Sequence, residues 1–317
     1  MDSASEVRHR RAAYIMLTFA AFFWGGTWVT GKLAVEAIPP MTLATGRFAL
    51  ASVLLWGWAR MKGVSERRLV AADLPLVLAM GLTAIAGYNV LFLYGLTLAP
   101  ASDGAIIVPG LAPILTAALA WPVLRERISR WGASGLVTAF AGLLLVMSPG
   151  GGQSPSRLMG DLLFFLGAFC WAIYSVIGKA ATTRFTPLRA TLYGAVAGTL
   201  MLLPFAIAER GWIKLATSPP AAWLSLLYLA VFGTVLAFVF FYEGVSRIGA
   251  VRATPFAFLV PIFGVVSSVI VLRERLTALT VAGGAFVLLG LWLVQRKQTV
   301  PASHVGAVQS KESLGIR

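Results

Sequence analysis

Side chains able to do covalent or metal chemistry are scarce in this chain. The two histidines, His9 and His304, lie in polar terminal stretches, and the single cysteine, Cys170, cannot form an internal disulfide. No His, Cys and carboxylate cluster has the spacing of metal ligands. Gly26-x-x-x-x-Gly31-Lys32 has the outline of a phosphate-binding loop, but Leu33 replaces the required Ser or Thr and no strand precedes it. The run Gly150–Gly152 likewise lacks a following Lys-Ser/Thr. No cofactor and no nucleotide-driven machinery are expected.

What remains is a set of groups suited to holding a solute, each inside a long apolar run. Arg47 either snorkels to an interface or holds an anionic group, and a charge at membrane depth is a functional candidate by default. Asn89 needs hydrogen-bond partners in hydrocarbon, so it faces other helices or a cavity. Trp24 and Trp171 stand near the middle of their runs, where a lipid-facing Trp is uncommon. Both are expected to point inward, packing between helices or offering a ring face to solute. Tyr94 and Tyr242 lie near run ends and serve either as interfacial belt residues or as substrate contacts. Glu243 is the best-placed carboxylate for carrying protons if it is buried, and its place at a run edge equally suits a solvated group. Pro113 and Pro261 each remove a backbone donor in mid-run and kink the helix, as a hinge or a cavity wall would need.

The elements that position these residues follow from composition. Of 317 residues, 58% are hydrophobic and only 12% charged, far from the roughly 25% charged of a soluble domain. The net charge of +14 resides in punctuation between apolar runs, so nucleic acid is not the expected partner. Ten runs are long enough to approach a helical membrane crossing: 13–31, 41–59, 74–96, 102–123, 131–148, 160–178, 188–207, 222–242, 253–271 and 277–295. With the N-terminus in the cytoplasm, 19 of the 26 Lys and Arg fall on cytoplasmic segments and six on external ones, with Arg47 inside a span. That bias predicts both termini inside.

An internal repeat organises the ten runs. Trp24, Gly31, Lys32 and Pro40 recur 147 residues later as Trp171, Gly178, Lys179 and Pro187. Tyr94, Pro113, Leu124-Arg125-Glu126-Arg127, Gly135 and Gly142 recur at 148 as Tyr242, Pro261, Leu272-Arg273-Glu274-Arg275, Gly283 and Gly290. Each half holds five spans, an odd number, so tandem copies insert in opposite senses. The expectation is an all-α integral membrane protein of ten transmembrane helices in two inverted five-helix repeats, 13–148 and 160–295. A linker spans 149–159 and a cytoplasmic tail 296–317. Inverted repeats are a secondary-transporter architecture, with the solute site at the repeat interface. Small residues in spans 5 and 10 (Gly132, Gly135, Ala139, Gly142; Gly283, Gly284, Gly290) predict close helix packing. Lys32 and Lys179 read as boundary charges, and the Arg-Glu-Arg blocks as span-end anchors with local ion pairing.

The opening Trp-Gly, Lys32, Pro40 and Arg47 resemble the start of an EamA domain. The tails of the halves, with Tyr94, Pro113, Glu126 and Gly132 and then Tyr242, Pro261, Glu274 and Gly283, resemble its continuation. Two such domains look like a ten-span member of the drug/metabolite transporter superfamily over about residues 13–295. Two departures stand out: Ala172 follows Trp171, and Gly194 occupies the position matched to Arg47. The resemblance implies a plasma (inner) membrane exporter of small metabolites such as amino acids. Spans 1, 3, 4, 6, 8 and 9 would line its cavity. Protons and a second copy of the chain are left open as partners, beside the solute and the lipid bilayer. An intramembrane enzyme is disfavoured, because the runs hold no histidine and almost no carboxylate to pair as acid and base. A membrane facilitator, or a non-transporting receptor or structural membrane protein, is the alternative.

Overall fold

A computed structural model describes residues 3–61, 69–124, 130–148, 154–181, 184–249 and 253–295. The first Arg-Glu-Arg block (125–127), the linker glycines (150–152), the tail (296–317) and the side chain of Lys179 lie outside the described residues. Within them the fold is helical, with no strand. The main helices are α1 (Ser3–Ala37), α2 (Pro40–Met61), α3 (Ala71–Leu98), α4 (Ala101–Leu124), α5 (Arg130–Val146), α6 (Pro155–Ala181), α7 (Pro187–Glu209), α8 (Pro220–Ile248), α9 (Leu259–Val271, preceded by the 3₁₀ turn Thr254–Phe258) and α10 (Ala278–Gln295). Six of these, α1, α3, α4, α6, α7 and α8, contain stretches long and apolar enough to cross a membrane, while α5, α9 and α10 are shorter apolar helices. Helix α2 is 22 residues long and carries Arg47 within an otherwise apolar face.

Local sequence sets the starts of several helices. Prolines stand in the first turn of α2, α6, α7 and α8, where a missing N–H costs nothing because that donor has no intrahelical acceptor. Both α3 and α8 depart from α geometry at mid-length, with π-helical turns at Gly81–Gly87 and Val231–Leu236. Such turns insert a residue and misalign the backbone ladder, leaving carbonyls for other donors. By the 148-residue repeat these two turns are near-equivalents. The sequence reading did not anticipate them.

Packing exchanges the halves. Helix α1 packs against α8 and α9, and its repeat counterpart α6 packs against α3 and α4. Counterparts α5 and α10 pack on each other, as do α2 and α7. The α5–α10 seam is a backbone contact. A methyl added at Gly135 would meet the Gly290 carbonyl oxygen at 2.6 Å, and one at Gly142 would meet that of Gly283 at 2.6 Å. Gly283 and Gly290 are the repeat images of Gly135 and Gly142, so the pairing is reciprocal and the two helices run antiparallel. Small residues at this spacing let backbones approach closely, as the sequence predicted.

The bundle therefore has two ends. At the near end α1 begins, and Leu17 packs under Gly244. At the far end α1 terminates, and several charged groups bind helix ends and one another. Glu209, closing α7, accepts from the N–H of Thr42 (2.8 Å) and of Met41 (3.3 Å). Glu274 accepts from the N–H of Ala101 (2.7 Å) and Ser102 (2.9 Å), capping α4. The expected local ion pairing of the second Arg-Glu-Arg block is thus replaced, for its carboxylate, by a helix cap across the halves. Lys32 donates to the Leu96 and Ala99 carbonyls at the end of α3, orphan acceptors of a helix terminus. Arg157 of α6 grips Asp103 of α4 in two bonds, Nε to Oδ2 at 2.8 Å and Nη2 to Oδ1 at 3.1 Å, and Asp103 is fully buried.

Candidate functional site

A cavity of about 210 Å³ lies at the seam of the two halves. Its wall draws on α1 (Leu17 to Trp28), α2 (Arg47, Phe48), α3 (Met80 to Phe92) and α4 (Val108 to Pro113). The second half contributes Trp171 and Tyr174 of α6, Ala190 to Ala195 of α7, Gly233 to Phe241 of α8, and Phe256 to Val260 around the start of α9. The residues from α1, α7, α8 and α9 include positions towards the near end of those helices. Past its deepest point the far end is packed shut. Trp28 is buried edge-on against Phe92 (4.9 Å) and Phe164 (5.7 Å).

Arg47 is the one charged group among the described lining residues, and only 7% of it is exposed. Its position is built by the two π-helical turns. In α3 the turn frees carbonyls that the Asn89 amide takes up, donating to Ile85 (2.9 Å) and Ala84 (3.3 Å). In α8 the Thr234 hydroxyl does the same, donating to the Leu229 carbonyl five residues back (2.9 Å). Each side chain is left with a free oxygen aimed inward. Arg47 Nη1 donates to Asn89 Oδ1 (3.3 Å) and Arg47 Nε to Thr234 Oγ1 (3.1 Å). One guanidinium is thus held by one oxygen from each half. No carboxylate pairs with it among the described residues, and its carbon also lies 4.8 Å from the Phe48 ring centroid. The rest of the wall is mostly apolar and aromatic, with the hydroxyls of Thr27 and Thr191 among it, the general make-up of a small-molecule site.

The sequence-derived residues divide by this geometry. Trp24, Arg47, Asn89, Pro113 and Trp171 meet at the cavity. Trp24 packs on Phe238 (5.5 Å) and Phe241 (5.3 Å), and Trp171 on Tyr88 (5.3 Å) and Tyr174 (5.4 Å), so each repeat-related Trp is braced by the opposite half or by its own helix. Tyr242 stands one layer behind the wall, its hydroxyl 3.4 Å from that of the lining Thr191. Tyr94 is 39% exposed on the outer surface and does not line the cavity. Pro261 lines a separate apolar groove between α9 and α10, with Ile106, Val265 and Gly284. Glu243 is not buried either. It is an exposed residue near the end of α8 in an ion pair one turn along with Arg247 (2.8 Å), because the side chain at that register points away from the seam.

Sequence reasoning did not single out Thr234, Thr27, Tyr88, Tyr174 or Thr191, all of them in the wall. A threonine in an apolar helix carries little signal, since its hydroxyl is commonly satisfied by a carbonyl of its own helix. The usable cue was Gly81, Gly87 and Gly233 beside polar residues, at matched depth in the two halves.

Fold and cavity together define a multi-helix membrane protein built from two like halves around one solute-sized chamber. The comparisons specify it further. The model of the EamA-like transporter family matches residues 11–148 and again 158–296, and the chain belongs to that family. A protein named as an uncharacterized transporter, YyaM, of Bacillus subtilis is 32% identical over 282 residues, covering 88% of this chain and 92% of its own. A probable terminal-alkyne amino-acid exporter of Streptantibioticus cattleyicolor is 28% identical, covering 89% and 92%. A probable amino-acid metabolite efflux pump of Salmonella typhimurium is 27% identical, covering 85% and 90%. One crystal structure superposes with a TM-score of 0.61 at 18% identity, over 92% of this chain and 99% of the other, a likeness of fold.

Proposed function

We propose that the chain is a secondary exporter of small metabolites, amino acids and their relatives among them, working by alternating access around the cavity that holds Arg47. It crosses the plasma membrane ten times as two inverted five-helix repeats, residues 13–148 and 160–295, with both termini in the cytoplasm. The observation that carries this reading is that one chamber is walled by both halves and its single cation is held by an oxygen from each. The reciprocal antiparallel pairing of Gly135 with Gly290 and Gly142 with Gly283 supports the inversion, since copies inserted in the same sense would pack these counterparts in parallel. The names of the two exporter relatives support the direction and the solute class.

In this orientation the far end faces outward. The bonds of Glu209, Glu274, Lys32 and Arg157 then close the external path, and the cavity is entered from the cytoplasm. Export follows when the halves rock so that the near end closes and those bonds part. Trp24, Trp171 and the deeper Arg47 and Asn89 contact solute. Pro113 and Pro261 supply the kinks of α4 and α9.

The test is flux through purified protein in liposomes, loaded with a pool of radiolabelled amino acids and their acyl and keto derivatives. Efflux that saturates and is exchanged by unlabelled solute on the opposite side is the expected result. Liposomes that stay sealed to every solute, with folded protein in both orientations, overturn the reading in favour of a receptor or structural role.

A further inference from the structure

We infer that the solute is held by a carboxylate on Arg47 and that its amino group, where it has one, is not specifically recognised. This rests on the cavity being the solute site as proposed above. Arg47 is more than nine-tenths buried and lines the chamber. A guanidinium carries five N–H donors. Nε and one hydrogen of Nη1 are used, on Thr234 and Asn89. The other three N–H donors have no partner among the described residues. Gly233 borders that side, where a methyl would clash with Thr27 Cγ2 at 2.5 Å and stand in ordinary contact with Nη2 at 3.8 Å.

A buried cation with no counter-ion is costly, several kcal/mol after relaxation. Asn89 and Thr234 give it dipoles and no charge. An incoming anion supplies the missing term, and a carboxylate fits the planar fork through two parallel hydrogen bonds. Charge counting favours a monoanion: one guanidinium balances one charge, and a phosphate dianion would leave the remainder in an apolar wall. The same inventory argues against an ammonium pocket. No Asp or Glu lines the chamber among the described residues, so a solute amine meets ring faces, hydroxyls and the Asn89 amide but no carboxylate. The body of the solute packs on Trp24, Trp171 and Phe238. A volume of about 210 Å³ lies below the roughly 300–1,000 Å³ of drug-sized sites and confines that body to about one ring or a short aliphatic chain.

Three probes with the same phenylethyl body separate these terms: 3-phenylpropanoate, phenylalanine and 2-phenylethylamine. Binding to the full chain in nanodiscs is read by calorimetry. The propanoate and phenylalanine should bind within about fivefold of each other, and the amine at least about tenfold more weakly. Arg47→Gln should weaken both carboxylates about tenfold to a hundredfold, the range of a charged hydrogen bond, and leave the amine unchanged. Arg47→Lys should recover part of the loss, and melting temperatures of both variants verify folding. Equal binding of the amine overturns the inference. So does an equal loss of all three probes in a folded Arg47→Gln, which would make Arg47 a clasp between the halves, and so does failure of every probe to bind. Efflux of neutral or cationic solutes through the same protein in liposomes would leave the transporter standing while the carboxylate assignment falls.

Discussion

The two ends of the bundle are made from matching pieces of sequence and are finished differently. At the far end, Glu209 and Glu274 cap α2 and α4, Lys32 closes α3, and Arg157 clamps Asp103. In the repeat the positions matched to Arg157 and Asp103 are Arg10 and Val251, so this Arg–Asp pair is not duplicated in the sequence. The near end has Leu17 under Gly244, Tyr14 stacked on Phe256 and the Tyr242 to Thr191 contact, together with one ion pair across the halves, the half-exposed Arg184 to the buried Asp73 at 3.2 Å. A duplicated backbone makes closure at either end geometrically available. Side chains that were not duplicated make the two ends differ, and on the transport cycle proposed above the greater number of ionic and cap bonds at the far end keeps that end closed at rest. If the proposed cycle holds, two states separated by a few such bonds are what a ligand of modest differential affinity can shift.

Removing the clamp is the harshest way to break this difference. Arg157→Gln leaves Asp103 buried without its cation, and loss of one partner of a buried pair costs about 3–5 kcal/mol. The expected outcome is a lower melting temperature in detergent together with increased accessibility at the far end, read as labelling of an Ala34→Cys probe from outside the cell. The double variant Arg157→Leu with Asp103→Leu should restore much of the melting temperature, since apolar replacement of both partners is often neutral. If Arg157→Gln melts and labels as wild type does, the far end is not held by charge.

A cap is smaller. Glu274→Gln keeps an acceptor but loses its charge at the first turn of α4, an effect of about 0.5–2 kcal/mol. The same measurements should show a proportionally smaller opening. The repeat partner Glu126 sharpens the comparison, because Glu126→Gln should leave far-end labelling unchanged.

These asymmetries explain what was legible in the sequence. The repeat offsets of 147 and 148, the glycines of α5 and α10, and the placement of Trp24, Arg47, Asn89 and Trp171 in helices around one chamber all follow from periodicity and from the cost of polar groups in lipid. The π-helical turns were not legible, because a π-turn is set by how α3 and α8 fit their neighbours and leaves the apolar pattern intact. Thr234 was missed for the same reason. The Glu274 cap and the Asp103–Arg157 clamp were hidden because each joins residues more than 50 positions apart, and single-sequence charge patterns speak only for neighbours. Tyr94 and Pro261 show how far the repeat can be carried. Their repeat partners lie at or behind the cavity wall, yet equivalence in the repeat preserves helix position and not the environment of the side chain.

The chamber should respond to aromatic truncation without a change at the far end. Trp24→Ala removes the ring packed on Phe238 and Phe241, and Trp171→Ala the ring packed on Tyr88 and Tyr174. Both rings are only half-buried, so each loss should fall below the roughly 3–5 kcal/mol of a core Trp truncation, while solute affinity drops by about an order of magnitude. Flux in liposomes at sub-saturating solute measures the second effect, and normal flux in both variants removes the aromatic wall from solute contact.

The smallest effect is expected at Glu243, the residue that sequence alone placed closest to proton traffic. Its carboxylate is about half exposed and pairs with Arg247 across one helical turn. An exposed pair of this kind contributes about 0–1 kcal/mol, and Glu243→Gln should therefore shift the melting temperature by no more than about two degrees. Because the side chain is exposed and does not line the chamber, solute flux should be unchanged in the variant. The decisive measurement is flux with and without an imposed pH gradient, in wild type and variant side by side. A gradient-driven component present in wild type and lost in Glu243→Gln would return this carboxylate to the transport cycle. It would also require the near end to enclose Glu243 at some stage of that cycle, adding a second carboxylate to the Asp73–Arg184 pair already there.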